Sequence, residues 1–538
     1  MKIALIVPVI DSDVVDEEVS MGISSTMLKD KGHEVLFTTL HENNEDFKQI
    51  ADFNPSFIAI VAYSDTITYV EKLCNLLKNM INNVKIALLG YAATHHYYEL
   101  LNCSIIFDFA LIGEFEETLC ELVNALDSNN KLDDIKGLAY RKKDTISTVI
   151  NRETFLELDN LPYSDRSIMV QENLNYAKIQ GSKGCKINCC SFCCETSFWK
   201  KANTTWQGRS PANIVDEIEM IMNKHHIYKF NFNDNNFSDP NRSSERVLEI
   251  ADLILKRNLP ITYFVNIRAD FHQYVSNLDT EYMIKSGYRG ALIGFEAANQ
   301  KDLLLFRKAT KVEDNILAAE IFKKYGLGVD CGFININPYS TLETLKTNID
   351  FLHQFNYMSY FTNLSRLKLF KGTALFEKAK SDGLLGKSTE MNVFNYNCKD
   401  SQVEKIVRFL NDYFYPLNDS HHLMHRVRYF GVYFIQDTLN LLNYFEKVCD
   451  DMQAVNLLKE CIENIKIELE KFNDTNYYWF SNLISSAENN FNEANVLSMS
   501  KDIMSLESIF QYIDRLNKLK FAGFKNIIKH NKDYALVL

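Results

Sequence analysis

Gly184-Cys185-Lys186-Ile187-Asn188-Cys189-Cys190-Ser191-Phe192-Cys193-Cys194 packs five of the chain's 12 cysteines into ten residues. Disulfide frameworks belong to small secreted chains, whereas this one has 538 residues and opens on Met1 to Val9, an apolar run that reads as a first β-strand rather than an export signal. Thiolates are soft ligands, and several in one short loop can face a common iron–sulfur cluster. A structural zinc site normally draws four ligands from two separated pairs, and no second CxxC pair accompanies this loop. Zinc and chance thiols remain as alternatives to the cluster.

Working outward from the loop, Ala177 to Gln180 reads as a strand and Pro211 to Lys224 as a helix. The strands Lys229 to Asn233, Ile261 to Ile267, Gly290 to Gly294 and Gly328 to Ile334 follow, with a last one around Asn363 to Leu369. The helical patterns Arg242 to Arg257, Thr280 to Ser286, Val312 to Tyr325 and Leu342 to Phe355 lie between them. About six such βα units predict a partial (β/α)6 barrel with its site at the C-terminal strand ends. Before it, Lys2 to Val9, Glu34 to Thr38, Phe57 to Tyr63, Lys85 to Leu89 and Phe107 to Ile112 alternate with helical segments. That order predicts a doubly wound, Rossmann-like α/β domain, whose ligands lie at the strand ends near Ser64, Thr66, Gly90, Tyr91, Ala92, Gly113 and Glu114. Beyond about Ser401 the pattern is helical in Val403 to Phe414, Tyr429 to Phe445, Val455 to Phe472 and Asp502 to Leu519, and the stripe Tyr429, Phe430, Tyr433, Phe434 reads as core. The expected domains are 1–128, a linker 129–170 with a hairpin near Arg141, the barrel 171–395 and a helical domain 396–538.

Hydrophobic residues at 46% and charged ones at 24% exclude wholesale disorder, and a formal charge of −12 argues against a nucleic-acid or anionic-membrane binder. No apolar run reaches the roughly 18 residues of a membrane span, so a cytoplasmic protein is expected. Cys74, Cys103 and Cys120 read as buried small apolar residues.

The cysteine loop resembles the signature of radical S-adenosylmethionine (SAM) enzymes, specifically those with an N-terminal cobalamin-binding domain. Their usual spacing is CxxxCxxC, and here Phe192 stands where the third cysteine would follow Cys185 and Cys189. The register that keeps Cys190-Ser191-Phe192-Cys193 makes Cys185, Cys190 and Cys193 the [4Fe-4S] ligands, with Cys189 the main rival and Cys194 behind it. The resemblance runs over about residues 1–395. It implies that Phe192, Asn233, Asp234, Arg268 and Glu296 bind SAM, with Asn233 and Asp234 on its amino group and Glu296 on a ribose hydroxyl. Met21-Gly22-Ile23, Gly90-Tyr91-Ala92 and Gly113-Glu114-Phe115-Glu116 are similar to pieces of the cobalamin domain, with Tyr91 in place of a common second Gly and Phe115 inside what is often GEGE. No DxHxxG sequence is present, which implies cobalamin held without a protein histidine on cobalt.

The resemblance implies reductive cleavage of SAM to a 5′-deoxyadenosyl radical, with the cofactors supplying the chemistry and the protein positioning them. The expected activity is C-methylation, through methylcobalamin, of an unactivated carbon in a natural-product intermediate or peptide. A non-methylating rearrangement, ring contraction or cyclisation is the alternative enzyme, and a non-catalytic zinc scaffold the alternative of another class. A flavodoxin or ferredoxin would donate the electron.

Overall fold

The computed structural model describes residues 1–10, 15–42, 47–63, 66–103, 105–142, 145–147, 149–152, 157–185, 187–201, 206–238, 242–390, 393–413, 442, 451–489, 491, 493–501 and 506–530. Two compact units divide the chain: residues 1–263 with 368–377 and 386–395, and residues 264–367 with 378–385 and 396–538.

The first unit begins with a sheet ordered β2-β1-β3-β4-β5-β6-β7. Its strands are β1 (Lys2–Val9), β2 (Glu34–His41), β3 (Phe57–Val61), β4 (Lys85–Leu89), β5 (Phe109–Leu111), β6 (Leu138–Lys142) and β7 (Thr145–Ile146). Neighbours from β1 to β5 pair in parallel, and β6 and β7 close the edge antiparallel. The helices α1 (Val19–Asp30), α2 (Phe47–Phe53), α3 (Ile67–Met80), α4 (Gly90–Cys103) and α5 (Glu116–Asp127) cover both faces. Alternation along the strands makes the two cores: Ile58 and Ile60 pack with Leu73 and Leu77 of α3, while Phe57, Ala59 and Val61 pack with Met21 of α1 and Leu119 of α5. A strand buried on both sides must be apolar throughout, which is why these strands read as unbroken runs.

A short helix α6 (Ser167–Gln171) leads to β8 (Ala177–Ile179), β9 (Ser182–Gly184), α7 (Cys194–Lys201) and β10 (Trp206–Gly208). The β9 and β10 strands pair antiparallel, whereas β8 pairs in parallel with β11 (Lys229–Phe232). Two helices, α8 (Pro211–His225) and α9 (Glu245–Lys256), pack on each other. Ser210 caps α8 by accepting the Asn213 N–H, with Pro211 in the first turn, where its missing N–H costs nothing. The first residues of β12 (Thr262–Arg268) belong here, Thr262 N–H donating to Tyr228 O at 2.8 Å.

The second unit holds the rest of β12 with β13 (Tyr288–Glu296) and β14 (Gly328–Phe333), the last two parallel from Gly290↔Gly328 onward. The strand expected around Asn363 to Leu369 is not continuous: its first two residues end the helix Tyr360–Leu364, and one parallel bridge between Ile336 and Arg366 and a two-residue strand, Leu369–Phe370, follow. The reason is local, because Ser359 and Thr362 form a capping box that starts the helix. The helix Met452–Asn489 runs antiparallel along Leu342–Gln354, tied by Lys346–Glu488 (2.6 Å), Tyr477–Asp350 (2.9 Å) and His353–Asp474 (2.8 Å). The expected helix Tyr429 to Phe445 and its aromatic stripe lie outside the described residues, apart from Leu442. Among the described residues no helix is long and apolar enough to cross a membrane.

Candidate cofactor site

Gly184 ends β9 with φ +79°, a conformation that turns the chain into the cysteine loop at little cost only for glycine. Cys193 N–H donates to Cys190 O at 3.4 Å, so these two residues close one turn, and α7 starts at Cys194. Cys185, Cys190 and Cys193 are half-buried and Cys189 is exposed. Burial, then the neighbouring Cys193, pushes the Cys194 thiol up to about 11, which disfavours it as a thiolate ligand. Among the described residues no three His, Cys, Asp or Glu side chains gather around a single ion. A [4Fe-4S] cluster takes at most one thiolate on each iron, so its ligands need not meet at one point. Phe192 lies half-buried in the same turn, whose Ser191 O accepts the Leu375 N–H at 2.8 Å.

At the end of β11 the adjacent residues Asn233 and Asp234 differ. Asp234 is fully buried, and its carboxylate accepts Gly181 N–H (2.6 Å), Ser182 N–H (2.9 Å) and Ser182 Oγ–H (2.8 Å). Burial raises it, against these bonds and the charge of Arg246. The carboxylate is therefore already engaged within the protein, holding the turn from β8 into β9. Asn233 keeps a buried Oδ1 with no hydrogen-bond partner, as do Asn188 inside the cysteine loop and Asn236. Asn188 and Asn236 carried no specific expectation from sequence, and the run of asparagines in 231–236 was the signal for the second. Asn235 reaches Glu195 of α7 at 2.9 Å, which ties the β11 end to the segment after the cysteines. Buried acceptors seldom stay unpaired, and these call for a donor from a bound molecule or water.

On the α/β side, the Gly90 to Ala92 segment is the first turn of α4 rather than a loop. Gly90 has φ +84°, and a Cβ there would lie 3.0 Å from Val61 Cγ2 and 3.1 Å from Ala62 O, so a side chain would be strained and crowded. The Tyr91 ring packs against Phe198 of α7 with centroids 5.0 Å apart, and its buried hydroxyl has no partner. Ala92 N–H donates to Ala62 O at 3.1 Å. Thr66 Oγ1 accepts the Tyr63 N–H at 2.8 Å, so its hydroxyl is used in its own turn, and Ser64 lies outside the described residues. Gly113 N–H donates to Thr94 Oγ1 at 3.0 Å. Glu114 meets Lys183 Nζ at 3.0 Å. Tyr63, at the β3 end, donates to Glu18 at 2.6 Å; burial raises both groups, Glu18 against that bond. Sequence alone did not single out this pair. Cys74 and Cys120 are buried as expected, and the Cys103 side chain lies outside the described residues.

In the second unit, Arg268 binds Asp270 at 3.0 and 3.2 Å and Lys308 O at 2.9 Å. Glu296 follows a bulge between Gly294 and Glu296, has φ +63°, and accepts from Lys308 Nζ at 2.7 Å. A left-handed glutamate is strained, and such strain collects at functional positions.

Residues 17–123 match the B12-binding domain family. That segment thus matches a B12-binding domain, and the fold of the chain resembles that of solved cobalamin-dependent radical SAM enzymes. In particular it resembles the cobalamin-dependent S-adenosylmethionine radical enzyme OxsB, solved with aqua-cobalamin and S-adenosylmethionine bound, at 16% identity and a TM-score of 0.71 over 98% of this chain and 84% of that one. An anaerobic magnesium-protoporphyrin IX monomethyl ester cyclase of Cereibacter sphaeroides is 26% identical over 56% of this chain and 49% of its own length. An uncharacterized methyltransferase of Pyrococcus horikoshii is 23% identical over 72% of this chain and 84% of its own. The chain spans about half of the length of the Cereibacter cyclase.

Proposed function

We propose that the protein is a cobalamin-dependent radical SAM enzyme that methylates an unactivated carbon of a small molecule or peptide. The observation that carries this reading is a loop of half-buried cysteines between a B12-binding domain and a strand end with unpaired buried acceptors. The residues fit the cofactors. Cys185, Cys190 and Cys193 would hold the cluster, with Cys189 as rival to Cys190. Asn233, with Asn236 three residues on and Asn188 in the cysteine loop, offers acceptors suited to the ammonium donor of SAM, a role that Asp234, already bonded to Gly181 and Ser182, fills less readily. Gly90, without a side chain, lets α4 start close against Val61 and Ala62 at the strand end where α/β domains bind ligands.

When bound, the cluster, SAM and cobalamin supply radical generation and methyl transfer. The chain's own task is to hold them, and the packing of Phe198 on Tyr91 covers one side of the first turn of α4. Methylation is favoured by the match to the Pyrococcus methyltransferase along most of both chains. A non-methylating reaction is the second reading, favoured by the Cereibacter cyclase and by likeness to OxsB over nearly the whole chain. The domain boundaries 1–128, 129–170, 171–395 and 396–538, the cytoplasmic location and the flavodoxin or ferredoxin donor belong to the same proposal.

Anaerobic purification with cobalamin tests the assignment, with iron, sulfide and cobalt quantified on one sample. About four irons and about one cobalt per chain are expected. Zinc without sulfide overturns the reading. Cys193→Ala should lose the cluster and abolish reductive SAM cleavage, and full activity in that variant would refute it. S-adenosylhomocysteine formed alongside 5′-deoxyadenosine supports methylation, and its absence supports the second reading.

A further inference from the structure

Lys183 stands on β9, two residues before Cys185, with its side chain 4% exposed. Its ammonium meets Glu116 at 2.6 Å and Glu114 at 3.0 Å, both in the turn that follows β5 of the B12-binding domain. These three residues bury one positive charge against two negative ones. Glu116 opens α5, where the helix N-terminus favours a carboxylate, and Ser20 bonds it as well. Glu114 shares the same ammonium. The same turn is held by Gly113 N–H on Thr94 of α4, whose first turn presents Tyr91 to Phe198 of α7. The cysteine loop is thus fastened to the B12-binding domain at both ends, by Lys183 before Cys185 and by Phe198 after Cys194.

We propose, resting on the cofactor reading above, that Lys183 is a positioning residue that couples the two cofactor sites. It transmits a shift of the Gly113–Glu116 turn to the backbone that presents Cys185. A turn set by bound cobalamin then favours the cysteine arrangement that holds the cluster and SAM. Linkage makes the effect reciprocal, so a loaded cluster with SAM must tighten cobalamin binding by the same factor.

The test titrates hydroxocobalamin, followed by its visible absorbance, into the full chain with and without the reconstituted cluster plus SAM. In the natural protein the cluster and SAM should lower the cobalamin Kd at least about fivefold, the lower end of ordinary coupling. In Lys183→Met that ratio should fall to about one with both cofactors still binding, and Lys183→Arg should restore part of it. If Lys183→Met does not fold, Glu114→Gln carries the test with the same expected loss of coupling. Equal affinities in the natural protein, or a ratio that survives in Lys183→Met or Glu114→Gln, would overturn the proposal. Failure of the natural protein to bind cobalamin at all would instead overturn the cofactor reading.

Discussion

The Arg166 and Lys183 networks both bury ions in the first unit, and they differ in charge balance. Arg166 binds Glu17 at 3.0 and 3.1 Å and Glu217 at 2.7 Å, and Arg209 meets the other Glu217 oxygen at 2.5 Å. Glu17 also accepts the Lys178 N–H at 2.7 Å, and Arg166 donates to Lys178 O at 2.8 Å, so two arginines offset two glutamates, while the Arg166 Nε is buried without a partner among the described residues. Lys183 meets two glutamates of one turn. A neutral, well-bonded network is a bolt between the linker, the loop after β1 and α8. An over-acidic one beside the cysteine loop is sensitive to whatever else occupies that turn. Excess buried charge is costly unless something compensates it, so the imbalance marks the more responsive of the two.

Removing one partner of a buried network leaves uncompensated charge, and Arg166→Met should therefore give the largest effect. Stability should drop by about 3–5 kcal/mol, read as a lower Tm, with the ratio of cobalamin affinities unchanged if the protein is measured below its new Tm. A loss of that ratio in Arg166→Met would erase the distinction between bolt and coupler.

Protonation separates the networks further. Burial alone would raise Glu217, but Arg166 and Arg209 outweigh it and hold it below its ordinary value of 4.5. A carboxylate with a depressed folded value contributes stability that is full above about pH 4.5 and is lost as the pH falls through the lower value. Glu18, Asp234 and Asp302 are raised, mainly by burial, and act in the opposite direction as they take up protons more readily when folded. In Glu217→Gln the loss of stability between pH 7 and pH 3 should shrink by roughly 1–2 kcal/mol, checked by denaturant unfolding at both values. An unchanged acid limb would mean that the arginines do not hold Glu217 ionised.

The legible and illegible parts of this protein divide along the same line. Strands such as Lys2–Val9 and Lys85–Leu89 were readable because a parallel strand buried on both faces has only apolar choices. The cysteine loop was readable because its cysteines are neighbours in sequence. Lys183 with Glu116 and Arg166 with Glu17 are 67 and 149 residues apart, and no local pattern announces such pairs. The roles of Asn233 and Asp234 were not separable either, since adjacent residues at a strand end point to opposite sides. The helix Tyr360–Leu364 had a local signal in Ser359 and Thr362, but the barrel pattern outweighed it and suggested a strand.

The smallest effect should come from Glu116→Gln. Burial favours the neutral form of Glu116, yet the Lys183 ammonium and its hydrogen bond keep it low. The amide would remove one of two negative charges while Lys183 keeps Glu114 at 3.0 Å. The pair left behind is neutral overall, so the desolvation saved offsets the attraction lost. Stability should change by no more than about 1 kcal/mol in the denaturant midpoint, and the cobalamin coupling should persist. A cost of about 3 kcal/mol or more would show that both carboxylates are needed to hold the lysine. The Lys183 site would then be a second bolt, and its negative excess would be the cost of a tight turn rather than a route between cofactors.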